Sequence, residues 1–310
     1  MQSLLASRRS RSFGRRTPDQ AHDPFLGVMH ISLIANILYP VDFSSSCVAM
    51  AAYVKRAATL LGAKVSLIHV ADPTDYNGMQ LYVRPVSEVL EEQLGIAREQ
   101  LDSFLAAEFS VAQCPRILAS GNAATEIARV AREGGIDLII MPTHSGVFRQ
   151  MLLGSTTAKV ISDADCPVLT SWHAQTIAPR SLEHREWLCA IGLSSNSERA
   201  LRFASQVAAQ ARGRLSIIHA VQAGEADLQV QLDLREKVHS IEKQEASRRI
   251  ADLQKMVGID ALVRIAVGSV KEALLGAARE SDADVLMIGR SHQGGSHGRM
   301  RDLTYAMVRD

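Results

Sequence analysis

Ile37-Leu-Tyr-Pro-Val-Asp42 is a short apolar run that ends on an acid, and a related run, Trp187-Leu-Cys-Ala-Ile-Gly192, follows 150 positions later. At the same offset Ser66-Leu-Ile-His69 corresponds to Ser216-Ile-Ile-His219. From Gly121 onward the correspondence holds again, at an offset of 147. Two long ungapped registers rarely arise by chance, so the sequence predicts a tandem duplication of one structural unit.

Within each copy, short apolar runs alternate with amphipathic segments. In the first copy the runs predict strands over Asn36–Val41, Lys64–Val70, Arg116–Ser120, Ile136–Met141 and Cys166–Thr170. The segments between them predict helices over Ser44–Leu61, Ser87–Phe109, Ala123–Glu133 and Gly154–Ser162. Strands that are apolar on both faces and alternate with helices are typical of a parallel, doubly wound sheet. The predicted fold class is α/β, with two tandem Rossmann-like domains.

The domain boundaries follow from the repeat. A chain of 310 residues suggests two domains, at roughly 100–200 residues each. We place the first domain at residues 31–173, a linker at 174–185 and the second domain at 186–310. At the 147 offset Asp310 corresponds to Asp163, so the second copy is predicted to lack the fifth strand.

Residues 1–30 differ in composition from the rest of the chain. Five arginines precede the first acid, Asp19, and the segment lacks the apolar core of about 7–15 residues that a signal peptide needs. We interpret it as a disordered basic tail, or as a misassigned start with Met29 as the initiator. An arm that binds nucleic acid is the alternative.

The composition argues against several classes of protein. The formal net charge of +1 gives the chain no bias toward nucleic acid or membranes. No apolar run approaches the roughly 18 residues that a membrane helix needs. The four cysteines show no CxxC spacing, which favours a reduced, cytoplasmic protein with buried thiols.

The predicted fold also locates a candidate site. Ligands of doubly wound sheets bind outside the carboxyl ends of the strands, where the strand order reverses. This rule selects Asp42, Val70, Gly121 and the loop 142–156. Gly154-Ser155-Thr156 ends that loop at a predicted helix start, where N–H groups, hydroxyls and the helix dipole favour an anion.

These residues resemble the motifs of the universal stress protein family. The resemblance rests on Ile37–Ser44, Leu67–Val70, Gly121-Asn122, Leu152–Ser155 and Cys166–Val168, and it covers nearly all of residues 31–310 as two tandem domains. It implies a five-stranded α/β fold that binds adenine nucleotides and is often dimeric. Some members of the family bind ATP and others do not.

The resemblance also implies a role for each site residue. Asp42 and Val70 would lie against the adenine. The corner that begins at Pro142 would lie near the ribose and phosphates, and Gly154 would be one of the donors to the phosphates. The implied cofactor is ATP or a related adenine nucleotide, with or without Mg²⁺. The full set of predicted cofactor-binding residues is Val41, Asp42, Val70, Gly121, Pro142, Thr143, His144, Ser145, Gly146, Gly154, Ser155 and Thr156.

The chain departs from the Gly-x-x-Gly and Gly-Ser/Thr pattern of the members that bind ATP. Pro142 stands at the first glycine and has no N–H to donate. Ser145 stands at the second and can donate both its N–H and its hydroxyl. In the second copy Asp302 and Gly192 replace Ser155 and Asp42, so we expect binding in the first domain only.

The sequence thus predicts a stress-response module that binds an adenine nucleotide and has no catalytic residue. A slow ATPase or nucleotide-dependent transferase is one alternative, with Asp42 as its candidate carboxylate, and a nucleotide-free dimerising scaffold is the other. No metal site is expected, since His144 lacks partners at metal-ligand spacing. His69 and His219 are expected to be hydrogen-bonded structural residues. We expect a homo-oligomer through residues 166–172, where the fifth strand presents an open edge.

Overall fold

The computed structural model describes residues 33–72, 85–143, 154–171, 185–222 and 232–289. The predicted tail (1–30), residues 174–184 of the linker and the site residues His144, Ser145 and Gly146 lie outside these ranges.

The first domain contains one five-stranded parallel sheet. Its strands are β1 (Asn36–Pro40), β2 (Lys64–Ala71), β3 (Arg116–Ser120), β4 (Leu138–Pro142) and β5 (Val168–Ser171). Its helices are α1 (Ser45–Leu61), α2 (Val86–Ser103), α3 (Ala123–Glu133) and α4 (Ser155–Asp163). The strand order is β3-β2-β1-β4-β5, and every described pairing is parallel. The order reverses between β1 and β4, which confirms the doubly wound prediction.

The second domain repeats this arrangement with one strand fewer. Its strands are β6 (Glu186–Ala190), β7 (Arg214–Gln222), β8 (Leu262–Gly268) and β9 (Val285–Ile288). Its helices are α5 (Ser197–Gln210), α6 (Leu232–Val257) and α7 (Val270–Glu280). The order is β8-β7-β6-β9, so the sheet has four strands in the described residues, in agreement with the predicted absence of a fifth.

Helices cover both faces of the first sheet. Tyr39 of β1 packs on one face with α1 and with Leu101 of α2. Leu38 points to the opposite face and packs with Ile127 of α3 and Val160 of α4. Because adjacent strand residues face opposite sides, burial on both faces explains why β1 is apolar throughout.

The duplication is visible in backbone and side-chain geometry. His69 Nδ1 lies 2.9 Å from the carbonyl oxygen of Val41, and His219 Nδ1 lies 2.8 Å from that of Ile191. Both histidines are therefore hydrogen-bonded to the end of the neighbouring strand, as predicted. Positive φ angles also recur at the repeat offsets, in the pairs Phe43/Leu193, Gly62/Arg212, Gly121/Gly268 and Gly135/Asp282.

The boundaries of α1 agree with its sequence signals. The Ser44 side chain accepts a hydrogen bond from the N–H of Cys47 and caps the helix start. Gly62 ends the helix with a left-handed φ of 63°, and its N–H donates to Ala58 and Thr59.

The predicted extent of α2 was wrong. The helix ends at Ser103 and not at Phe109, because Phe104 is extended and Leu105 has a φ of 52°. The break lets Phe104 contact Phe43, with ring centroids 5.2 Å apart. It also lets Phe109 pack on Tyr39 in the core, which a continuous helix would prevent.

The two repeats are joined through α1 and α5. Val207, Ala208 and Ala211 at the end of α5 belong to the same buried cluster as Val54 and Leu61 of α1. Polar contacts from the side chain of Gln210 add to this apolar packing. The described strands of one sheet form no pair with those of the other.

Candidate functional site

The candidate site lies at the carboxyl ends of β1 and β4, where the strand order reverses. Val41 continues the pairing of β1 with β2, since its N–H donates to Ile68 O at 2.8 Å, and its side chain is buried. Asp42 follows and is exposed. The chain then turns sharply through Phe43, whose φ of 61° is uncommon for a bulky residue.

The carboxylate of Asp42 is held by the start of α1. Its Oδ1 accepts a hydrogen bond from the N–H of Ser44 at 3.0 Å and another from the thiol of Cys47 at 3.1 Å. Burial, followed by the negative charge of Asp42, raises the pKa of Cys47 to about 12. The thiol therefore stays protonated at neutral pH and acts as a donor.

The ends of β2 and β3 supply the next part of the wall. Val70 is half-buried and is paired with Ala119 of β3. Gly121 has a φ of 135°, a conformation that L side chains rarely adopt, and its N–H donates to Ala71 O at 3.0 Å. A glycine is thus required here by the backbone itself.

The end of β4 is tied to the start of α4. The N–H of Gly154 donates to Thr143 O at 3.0 Å, and the hydroxyl of Thr157 donates to Pro142 O at 3.1 Å. A Cβ on Gly154 would lie 3.2 Å from Thr143 O, so the glycine permits this close approach. The corner is buried, since Thr143 is 2% and Thr157 4% exposed.

These contacts change which groups could bind an anion. The N–H of Gly154, one of the three predicted donors, already has a backbone acceptor. The N–H groups of Ser155 and Thr156 lie in the first turn of α4, where a helix offers no acceptor of its own. Ser155 is exposed, and the first turn of α4 carries no acidic residue.

The structure thus places nine of the twelve predicted residues at one edge of one sheet. They are Val41, Asp42, Val70, Gly121, Pro142, Thr143, Gly154, Ser155 and Thr156. Sequence reasoning missed Cys47 and Thr157, which hold Asp42 and the β4–α4 corner in place. In the second copy Gly192 occupies the position of Asp42, whereas Arg301 and Asp302 lie outside the described residues.

The described residues can also be assessed for metal sites and for membrane-spanning helices. Across those ranges, no group of three or more His, Cys, Asp or Glu side chains is arranged to hold a metal ion. None of the helices described is long and apolar enough to cross a membrane.

Comparison with known proteins places this geometry in a family. The profile described as the universal stress protein family matches residues 34–171 and again residues 184–301. The chain belongs to this family. Because the two matches are consecutive and each covers one domain, it is a tandem, two-domain universal stress protein.

Individual relatives align with this chain over about the length of one domain. Universal stress protein MJ0577 of Methanocaldococcus jannaschii is 29% identical over 148 residues, which are 43% of this chain and 91% of the relative. A universal stress protein of Thermus aquaticus is 30% identical over 142 residues, which are 44% of this chain and 98% of the relative.

Solved structures share the whole two-domain fold. A universal stress protein from Archaeoglobus fulgidus superimposes with a TM-score of 0.59 at 22% identity, covering 90% of this chain and 95% of that one. A Pseudomonas aeruginosa protein described as a putative universal stress protein gives 0.54 at 18% identity, covering 89% and 90%. These similarities establish the fold.

Proposed function

We propose that the first domain of this universal stress protein binds ATP or a related adenine nucleotide, as a binding module of the stress response. The observation that carries the proposal is the attachment of the α4 amino end to the end of β4, beside the reversal point. Two hydrogen bonds fix this corner, from Gly154 to Thr143 and from Thr157 to Pro142. A helix start held at that point is suited to phosphate groups.

The rest of the proposed site suits a nucleotide base. Val41 and Asp42 follow β1, the neighbour of β4, and Val70 lies near the end of β2, the strand beyond β1. These residues would face the adenine and leave the phosphates to Ser155 and Thr156. Thr143 would lie beside the ribose. His144, Ser145 and Gly146 remain predicted ligands, and a Mg²⁺ ion would enter bound to the phosphates.

Binding is favoured over catalysis by the position of Asp42, the candidate carboxylate of an ATPase. Its Oδ1 already accepts hydrogen bonds from Ser44 and Cys47, which hold the carboxylate against the start of α1. Asp42 also follows β1, on the side of the site proposed for the adenine, whereas Ser155 begins α4 on the side proposed for the phosphates.

The open edge of β5 supports a homo-oligomer. Ile139 N–H of β4 donates to Pro167 O, so parallel pairing directs the N–H groups of Val168 and Thr170 away from β4. Within the described residues no strand pairs with that outer edge. We propose that residues 166–172 pair with a second copy, and that the protein is cytoplasmic, since its four cysteines, all within the described residues, form no disulfide.

The first test is mass spectrometry of the gently purified protein, which should release an adenine nucleotide. Calorimetry should then give one ATP per chain or less, because Gly192 replaces Asp42 in the second copy. Two equivalent sites per chain would contradict the assignment to the first domain.

Ser155→Asp provides the sharper test. A carboxylate in the first turn of α4 would repel the phosphates, and we expect ATP to bind roughly 10–100-fold more weakly. Ser110→Asp is the matched control, because Ser110 is exposed in the turn before β3, at the opposite edge of the sheet. Unchanged ATP affinity in Ser155→Asp would show that the phosphates lie elsewhere.

A further inference from the structure

The turn between the first strand and the first helix is stabilised by different hydrogen bonds in the two copies. In the first copy, Asp42 Oδ1 accepts from the N–H of Ser44 at 3.0 Å and from the thiol of Cys47 at 3.1 Å. In the second copy the N–H of Ser194 donates to the hydroxyl of Ser197 at 2.9 Å. Ser194 and Ser197 are the counterparts of Ser44 and Cys47 at the 150 offset.

The turn itself is the same in both copies. Phe43 and Leu193 have φ angles of 61° and 51°. The residues four positions later are both buried, with Cys47 2% and Ser197 3% exposed, although α1 begins at Ser45 and α5 at Ser197. A serine hydroxyl therefore satisfies the turn N–H without any carboxylate. The fold does not need Asp42, so the carboxylate and the thiol that contacts it require another explanation.

We propose that Cys47 is a positioning residue of the nucleotide site, whose thiol fixes the carboxylate of Asp42 for recognition of the 6-amino group of adenine. This inference rests on the proposed function. With Ser44 N–H and Cys47 Sγ both on Oδ1, the carboxylate is fixed in orientation before the ligand arrives. A fixed acceptor loses less conformational entropy on binding than a freely rotating one.

The surroundings of the thiol suit this role. Tyr39 donates its hydroxyl to Cys47 O at 2.5 Å, and this bond holds the backbone of the first turn of α1 in place. The alternative acceptor for the thiol, Pro40 O, is farther away at 3.9 Å. The raised pKa of Cys47 keeps the thiol protonated, so it can donate to Asp42 at neutral pH.

The test compares ATP with purine riboside 5′-triphosphate, in which hydrogen replaces the 6-amino group. The unmodified protein should bind ATP about tenfold more tightly, as expected for one hydrogen bond to a charged acceptor. Cys47→Ala should reduce that ratio severalfold, whereas Cys47→Ser should retain it, because serine keeps a donor. A general loss of structure would weaken both ligands equally and leave the ratio unchanged.

A second measurement needs no ligand. Asp42→Gly removes the acceptor of Ser44 N–H and should lower the melting temperature. Adding Cys47→Ser reproduces the corner of the second copy and should recover most of that loss. When the ligand comparison is then repeated on the double variant, ATP and the analogue should bind with a ratio near one.

Each result leads to a separate conclusion. If the unmodified protein binds no ATP, the proposed function fails and this inference fails with it. If ATP binds but the ratio is already near one, survives Cys47→Ala, or is lost equally in Cys47→Ser, the proposed function stands and the role of Cys47 is refuted. If Cys47→Ser does not improve the stability of Asp42→Gly, the comparison between the two corners is refuted.

Discussion

Gln210 links the two repeats through three hydrogen bonds, and its removal should weaken their packing. Its Oε1 accepts from Ile34 N at 3.2 Å, and its Nε2 donates to Ile34 O at 3.0 Å and Leu61 O at 2.5 Å. Ile34 is 1% exposed, so water cannot readily replace the lost partner. Leu61 O belongs to the last turn of α1, where a helix leaves its carbonyls without internal donors.

The magnitude follows from these bonds. Each neutral hydrogen bond contributes about 0.5–1.5 kcal/mol net, and two of the three share one nitrogen. We therefore expect Gln210→Ala to lower the free energy of unfolding by about 2 kcal/mol. Gln210→Glu should lower the free energy of unfolding more than the alanine variant does. It keeps an acceptor for Ile34 N–H, but it places a carboxylate oxygen against the carbonyl oxygens of Ile34 and Leu61, which would repel it.

Guanidinium denaturation followed by circular dichroism and tryptophan fluorescence would measure this effect. Trp187 is buried in the cluster shared by the two repeats, so its fluorescence should respond to loss of the contact. Gln113→Ala is the control, since the side chain of Gln113 is exposed and makes none of these bonds. A Gln210→Ala variant within about 0.5 kcal/mol of that control would show that these three hydrogen bonds contribute little to stability.

Three further predictions concern the thiols, the edge strand and the amino terminus. Burial raises the pKa of Cys47 and Cys189 to about 12, so both should react with thiol reagents at neutral pH only when the protein unfolds; rapid labelling of either in the native state would contradict this. Thr170→Pro removes an outward N–H of β5 and should shift the protein toward monomer in light scattering, whereas Leu169→Pro removes an N–H that faces β4 and should disrupt the pairing of β5 with β4 instead. An unmodified protein that is monomeric at micromolar concentration would refute the edge pairing. A chain that starts at Met29 should melt within about 2 °C of the full chain by calorimetry, since residues 1–28 carry no apolar periodicity; a larger loss would mean that the segment packs on the folded protein.

The elements with local signals were predictable from sequence. The residues of β3 and α3 agree with the prediction at both ends, and α1 was located by its Ser44 cap and by Gly62. The end of α2 was not predictable, because the apolar pattern continues past Ser103. Tertiary contacts of Phe104 and Phe109 determine where that helix stops.

The candidate site was likewise predictable only in part. The rule for doubly wound sheets located Asp42, Val70 and Gly121, because it depends only on strand order. It could not show that Gly154 N–H is paired with Thr143, since that bond depends on how the chain leaves β4. Nor could it identify Cys47, because a thiol five residues after an aspartate is not a recognised motif.

The duplication separates residues that serve the fold from residues that serve one copy. Asp137 Oδ2 accepts from two N–H groups at the start of β1, and Asp284 does the same at the start of β6. Such shared features maintain the sheet, whatever the domain binds.

Two side chains are present in one copy and replaced in the other. Asp42 has Gly192 as its counterpart, at the proposed nucleotide site of the first domain. Gln210 has Leu60 as its counterpart, and it contacts the other repeat through Ile34 and Leu61. The second copy therefore lacks the acceptor that we propose for the adenine, and it contributes the polar side chain that attaches it to α1. Because α1 begins at the Asp42 corner and ends at Leu61, whose carbonyl oxygen accepts from Gln210, one helix connects the proposed nucleotide site to the second domain. Loss of the Gln210 contacts should for this reason destabilise the first domain as well as the second, which carries the side chain.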